Sequence, residues 1–134
     1  MSIVAVRRAL EVHLATLTPI LPTAWENELF TPPTGPYQKA FLLPAEPSNP
    51  EQGGGFYQEQ GVFQISACYP IGKGTKAAGD RAQALRAHFP RALSLAADGV
   101  VVTIQRTPTI APHMIDADRY VLPVSVRWFA NIQG

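Results

Sequence analysis

The order of periodic segments along this chain predicts an α+β domain: a mixed or antiparallel sheet of about five to six strands with two helices packed on one face. Three stretches carry that prediction. Residues 3–17 place apolar side chains at helical spacing, and Phe63 to Arg91 passes from an alternating strand through a Gly-rich turn into an Ala-rich helix. Near the C-terminus Leu122, Val124, Val126 and Trp128 alternate with Pro123, Ser125 and Arg127. At 134 residues the chain has the size of one ordinary domain, 1–134, able to bury a core without disulfides or metal.

Each element has a local reason. Ile3, Val6, Leu10, Leu14 and Leu17 recur at spacings of three and four, the stripe of an amphipathic helix that Ser2 can cap and Pro19 stops. Ala24 to Phe30 reads as a short strand holding Trp25, and Thr31 to Pro36 as a loop, since its prolines cannot donate to a ladder. Tyr37 to Ala45 and Tyr57 to Tyr69 read as strands, the second with Phe63, Ile65, Ala67 and Tyr69 on one face. Between them, Glu46 to Gly55 has the composition of a mobile hairpin arm, longer than the usual two to five residues or so. A helix follows over 75–88, in which Gly79 is a cost that the close approach of another backbone would explain. Leu93 to Leu95 leads to the Asp98-Gly99 turn and a strand over 100–106. Pro108 and Pro112 limit Thr107 to Asp118 to short or edge pieces, and Arg119 to Ala130 closes the chain as a long strand, with Pro123 arguing for an edge position or a bulge.

Composition narrows the function classes. Hydrophobic residues make up 46% and charged residues 16%, which suits a surface partly covered by partners. The net charge of +1 is far from the basic stripe of a dedicated nucleic-acid binder. Residues 1–67 are acidic on balance and 68–134 basic, so opposite halves could meet head to tail, or the sequence halves could simply intermix in space. A single cysteine, Cys68, excludes an intrachain disulfide and fits a reducing compartment. Arg7, Arg8, Glu11 and His13 interrupt the N-terminal apolar pattern, so it makes neither a signal peptide nor a membrane span of about 20 residues, and a soluble intracellular protein is expected.

Candidate chemistry is sparse. Gly72-Lys73-Gly74 is not a phosphate loop, because Ala67 stands where the first glycine belongs and Gly74 where a Ser or Thr must follow the lysine. The helix start at Gly72 to Thr75 still offers free N–H groups beside Lys73 and Lys76, so an anion- or nucleotide-binding domain is one alternative to a plain turn with Gly74 or Thr75 as cap. His113, Asp116 and Asp118 match no defined zinc or calcium spacing, and Cys68 has no activator nearby in sequence. No catalytic residue, cofactor site or metal site is therefore assigned. Tyr37, Phe56 and Tyr57 bracket the glycine-rich arm and are either interface anchors or the ends of the core. Arg106, Arg119 and Arg127 are either partners for carboxylates of a neighbouring subunit or solvated edge charges.

Tyr69-Pro70-Ile71-Gly72-Lys73-Gly74, then Ala77, Ala78, Ala82, Leu85 and His88-Phe89-Pro90-Arg91, then Arg119-Tyr120-Val121-Leu122-Pro123-Val124-Ser125-Val126, in that order, resembles the phage tail terminator-like family of tailed bacteriophages and prophages, and more remotely the lambda type. The resemblance implies a structural virion assembly protein without enzymatic activity. Copies would join as a homohexameric ring at the head-proximal end of the tail, after assembly in the host cytoplasm. The ring would cap the tube of major tail tube protein, stop its polymerisation and meet the head connector or neck protein. Genomic DNA would pass through without specific binding, and no membrane is involved. A head-completion or neck protein of the same virion is the neighbouring alternative. Under this reading Tyr37, Gln52, Gly53, Gly54, Gly55, Phe56, Tyr57, Arg106, Arg119 and Arg127 are the expected oligomer or tube contacts.

Overall fold

The computed structural model describes residues 2–49 and 56–133. In chain order it forms α1 (Ser2–Leu14), β1 (Thr23–Ala24), β2 (Tyr37–Pro44), β3 (Phe56–Pro70), α2 (Lys76–His88), β4 (Ser94–Ala97), β5 (Val100–Ile104), β6 (Thr109–Ile110), β7 (Met114–Asp116) and β8 (Arg119–Gln133). The strands make one curled sheet in the order β1-β2-β3-β8-β5-β4, with β6 and β7 also on β8. β1 runs parallel to β2 and every other pair is antiparallel. The sheet has eight strands where five to six were expected, because β1, β6 and β7 are pieces of two or three residues that periodicity cannot register. None of the helices among the described residues is long and apolar enough to cross a membrane.

Both helices cover the same face. Val6, Leu10 and Leu14 of α1 and Ala82 and Leu85 of α2 join Phe63, Ile65, Val102, Val124, Val126 and Trp128 in one buried cluster. Each fully buried large side chain there contributes roughly 1.5–3 kcal/mol relative to exposure. Ser2 is itself helical, not a flanking cap, and α1 ends at Leu14 in a tightened turn, where Thr16 and Leu17 donate their N–H groups to His13 O and Leu14 O. The other sheet face carries a smaller cluster of Tyr37, Cys68 and Val121, with Phe30 packed against it.

Three expectations change. The Ala24 to Phe30 strand shrinks to Thr23–Ala24, because the chain turns immediately after: Glu28 N–H reaches Trp25 O and Asn27 takes a φ of 59°. Trp25 still packs against the core. Second, β8 is central, not an edge. It pairs with β3 along all fifteen residues and on its other side meets β5, β6 and β7 in turn. Pro123 fits there because a residue in an antiparallel strand directs its N and O to the same neighbour, and Pro123 O accepts from Ala111 N–H. Its missing donor therefore faces the break between β6 and β7, and the ladder with β3 is intact. Third, among the described residues no other element approaches Gly79, since a Cβ built there meets nothing within 4 Å beyond its own helix.

Gly61 is the glycine that packing requires. A Cβ there would lie 2.5 Å from Leu43 O and 3.0 Å from the Trp128 ring, so its absence admits the indole between β2 and β8. Opposite outcomes follow for the two glycines. Gly61→Ala should destabilise by about 1–3 kcal/mol through overpacking, whereas Gly79→Ala should stabilise by about 0.5–1 kcal/mol by relieving a helix-interior glycine. Urea unfolding of both variants tests this, and equal signs would refute it.

Candidate tail-assembly surfaces

Among the described residues, those expected as contacts divide into buried and exposed groups. Tyr37 is 6% exposed and Arg119 8%, so both lie within the protomer. The Arg119 guanidinium sits 5.0 Å from the Tyr37 ring centroid, donates to Gly35 O at 2.6 Å and to Pro33 O, and pairs with Asp118 at 3.6 Å. It clamps the Pro-rich loop over the second face of the sheet. Burial raises the Tyr37 phenol and the Cys68 thiol above their ordinary pKa values, which disfavours the thiolate.

The hairpin arm is a ladder at its base. Ala45 N–H donates to Gln60 O, Ser48 and Gln58 exchange both backbone hydrogen bonds, and Gln60 Nε2 holds Glu46 O at 2.9 Å. Glu46 to Ser48, expected as the start of the mobile arm, are therefore tied to β3. Gln52, Gly53, Gly54 and Gly55 lie outside the described residues. Phe56 and Tyr57 open β3 opposite Gln133 and Ile132, and Gln58 Nε2 reaches Asn131 Oδ1 at 3.2 Å. Arg106 and Arg127 are exposed, near the end of β5 and midway along β8.

The anion-binding alternative has a specific geometry. Gly72 and Gly74 take φ values of 82° and 79°, which explains both glycines, and Thr75 flanks the helix without a side-chain cap. Lys76 is taken by Asp80 at 2.7 Å, one turn into α2. His113 stacks on Tyr120, Asp116 faces Lys39 at 3.5 Å and Asp118 faces Arg119. Among the described residues no group of three or more His, Cys, Asp or Glu gathers as a metal site.

A family model for phage tail terminator protein matches residues 5–128, which span α1 through most of β8. The chain belongs to the phage tail terminator family. One solved structure superposes with a TM-score of 0.80 at 31% identity, covering 97% of this chain and 96% of its own. No curated protein matches the sequence. Membership makes the chain a structural protein of the phage tail, located in the virion tail and in contact with other tail components. The family is a structural one, not known for enzymatic activity.

Two arrangements escaped the sequence. Arg81, 4% exposed, donates to Gln38 Oε1 at 3.0 and 3.3 Å and to Pro19 O at 2.7 Å, while Gln38 Nε2 donates to Thr23 Oγ1. Burial lowers its pKa, and the charge rests on neutral oxygens. At the other end of the helices His13 and His88 stack with centroids 4.0 Å apart, and each Nε2 reaches the other's carbonyl oxygen, at 2.6 and 2.7 Å. Both Nε2 atoms thus carry their protons, and the pair joins the C-terminal ends of α1 and α2.

Burial depresses the His13 pKa below its ordinary value, despite the hydrogen bond to His88 O. The unfolded chain then takes up the proton first, at a pKa of about 6.5. Stability should be full above that pH and fall as the pH drops from there toward the folded-state pKa. His13→Gln should flatten this part of a melting-temperature profile between about pH 7 and 5; an unchanged slope would refute the assignment.

Proposed function

We propose that copies of this chain close into a homohexameric ring on the head-proximal end of the tail tube, stop its polymerisation and offer the surface that joins the head connector or neck protein. The observation that carries this reading is the family match along nearly the whole domain, from α1 to Trp128. The geometry is compatible with it. A ring needs two different patches on each subunit, and the base of the arm, Ala45 to Ser48, lies at one end of the β2-β3-β8 ladder. In this reading Phe56, Tyr57 and Gln52 to Gly55 contact the tube or the next subunit, and Arg106 and Arg127 face partner carboxylates. Tyr37 and Arg119 act from inside, by holding the loop over 31–36. DNA passes through the ring without being gripped, in keeping with the net charge of +1, and assembly takes place in the host cytoplasm.

Light scattering across a wide concentration range, with negative-stain images in the presence and absence of tail tubes, tests the ring directly. Deletion of Gln52 to Gly55 should leave the monomer's melting temperature unchanged and impair docking on the ring or tube. Normal capping of tubes by the deletion variant would sink the role given to the arm. Ring formation that survives Lys73→Ala would separate this reading from an anion-binding domain centred on Gly72 to Thr75.

A further inference from the structure

Three of the eleven Lys and Arg side chains gather around residues 105–109. Arg86 Nε donates to Pro108 O at 3.0 Å. Arg91 and Arg106 share an open concavity of about 610 Å³ with Gln105, Thr107 and Thr109. Gln105 N–H donates to Arg127 O at 2.8 Å, and Gln105 and Arg127 line the next concavity together. None of these arginines pairs with a carboxylate among the described residues, whereas Arg7, Lys39, Lys76 and Arg119 all do. Arg86 on α2, Arg91 just after it and Arg106 in the β5-β6 connection therefore hold like charges near two threonine hydroxyls, an arrangement that an anionic partner relieves.

The complement lies elsewhere on the same chain. Glu26 accepts the outward N–H of Leu42 at 2.9 Å, which puts it on the outer edge of β2, across β3 and β8 from the arginines. Arg7 bridges Glu26 and Glu11 at 3.0 and 3.4 Å, leaving this cluster acidic once Glu28 is included. Glu11 is close enough to both other carboxylates for them to reinforce the rise that burial gives its pKa. Beside Glu28, Leu29 projects fully into solvent, at 105% relative exposure. Patches of opposite sign on different sides of one subunit make a head-to-tail contact, the kind that closes into a ring.

We infer that the arginine cluster formed by Arg86, Arg91 and Arg106 receives the Glu26 to Leu29 tip of a second copy of this chain. The inference rests on the ring reading above and names its contact surfaces. A compact concavity rimmed by hydroxyls suits two or three carboxylates, whereas a nucleic-acid backbone calls for a basic stripe along the surface, which the overall charge does not provide.

The test uses the full chain with Arg91→Glu/Arg106→Glu, the neutralised pair Arg91→Gln/Arg106→Gln, and Glu28→Arg, all at exposed positions. Assembly is read by light scattering and negative stain, and melting curves confirm folding. Each charge reversal should weaken association at least about tenfold, with the neutralised pair intermediate. Wild-type association should weaken in about 1 M salt, where the screening length is roughly 3 Å. Mixing the Arg→Glu and Glu28→Arg proteins should restore assembly, because alternating copies regain opposite charges at every contact. Reversed proteins that assemble like wild type would overturn this contact while leaving the ring intact. So would an Arg→Glu variant that assembles normally but loses binding to a DNA fragment, which would mark a nucleic-acid surface. A wild-type chain that never associates, alone or on tail tubes, would overturn the ring and this contact together.

Discussion

The fifteen-residue register between β3 and β8 is the constraint on which the other elements depend. β2 adds to the free edge of β3, while β5, β6 and β7 follow one another along the free edge of β8. Because side chains alternate between faces, a slip of one residue would turn Phe63, Ile65, Val124 and Val126 away from the helices. Gly61 helps to set that register. It stands opposite both Pro44 and Trp128, where the large indole needs the space a Cβ would occupy. Hydrophobic burial supplies the stability, and this single small residue helps to decide which alignment collects it.

Polar clamps then fix the pieces that hydrophobic packing leaves loose. Arg81 ties α2 to β2 and, through Gln38, to Thr23 in the two-residue β1. Arg119 ties the loop over 31–36 to the start of β8. The stacked histidines join the ends of the two helices, with Phe89 edge-on to both rings. Two of these anchors are buried cations resting largely on neutral oxygens, a geometry that suits the planar, multi-donor guanidinium and would not suit lysine.

Those internal commitments shape what remains outside. Arg81 and Arg119 are consumed by the fold, Arg7 sits among carboxylates, and Arg86, Arg91 and Arg106 remain exposed around the β5-β6 connection. The near-neutral total thus includes an arginine group around the β5-β6 connection and a carboxylate group of Glu11, Glu26 and Glu28. Under the ring proposed above, directional assembly needs unlike surfaces on one subunit and not a large net charge.

The sequence by itself determined both helices, the long strands, the Asp98-Gly99 turn with both residues at positive φ, and the family, because periodicity and turn chemistry are local properties. It left Arg106, Arg119 and Arg127 as partner contacts or solvated charges and Tyr37 as an anchor or part of the core; that Arg119 and Tyr37 are buried is not a local property. Pro123 read as an edge signal because the chain alone does not show that the neighbouring strand breaks where the N–H is missing. Only the tertiary structure decided that β8 is central, that Arg81 is buried against Gln38 and that His13 meets His88. It also brought Arg91 and Arg106 into one concavity and Arg86 against Pro108 O. Partners separated by forty or more residues, such as Gln38 and Arg81, meet through the fold of the sheet, and no spacing rule along the chain encodes that meeting.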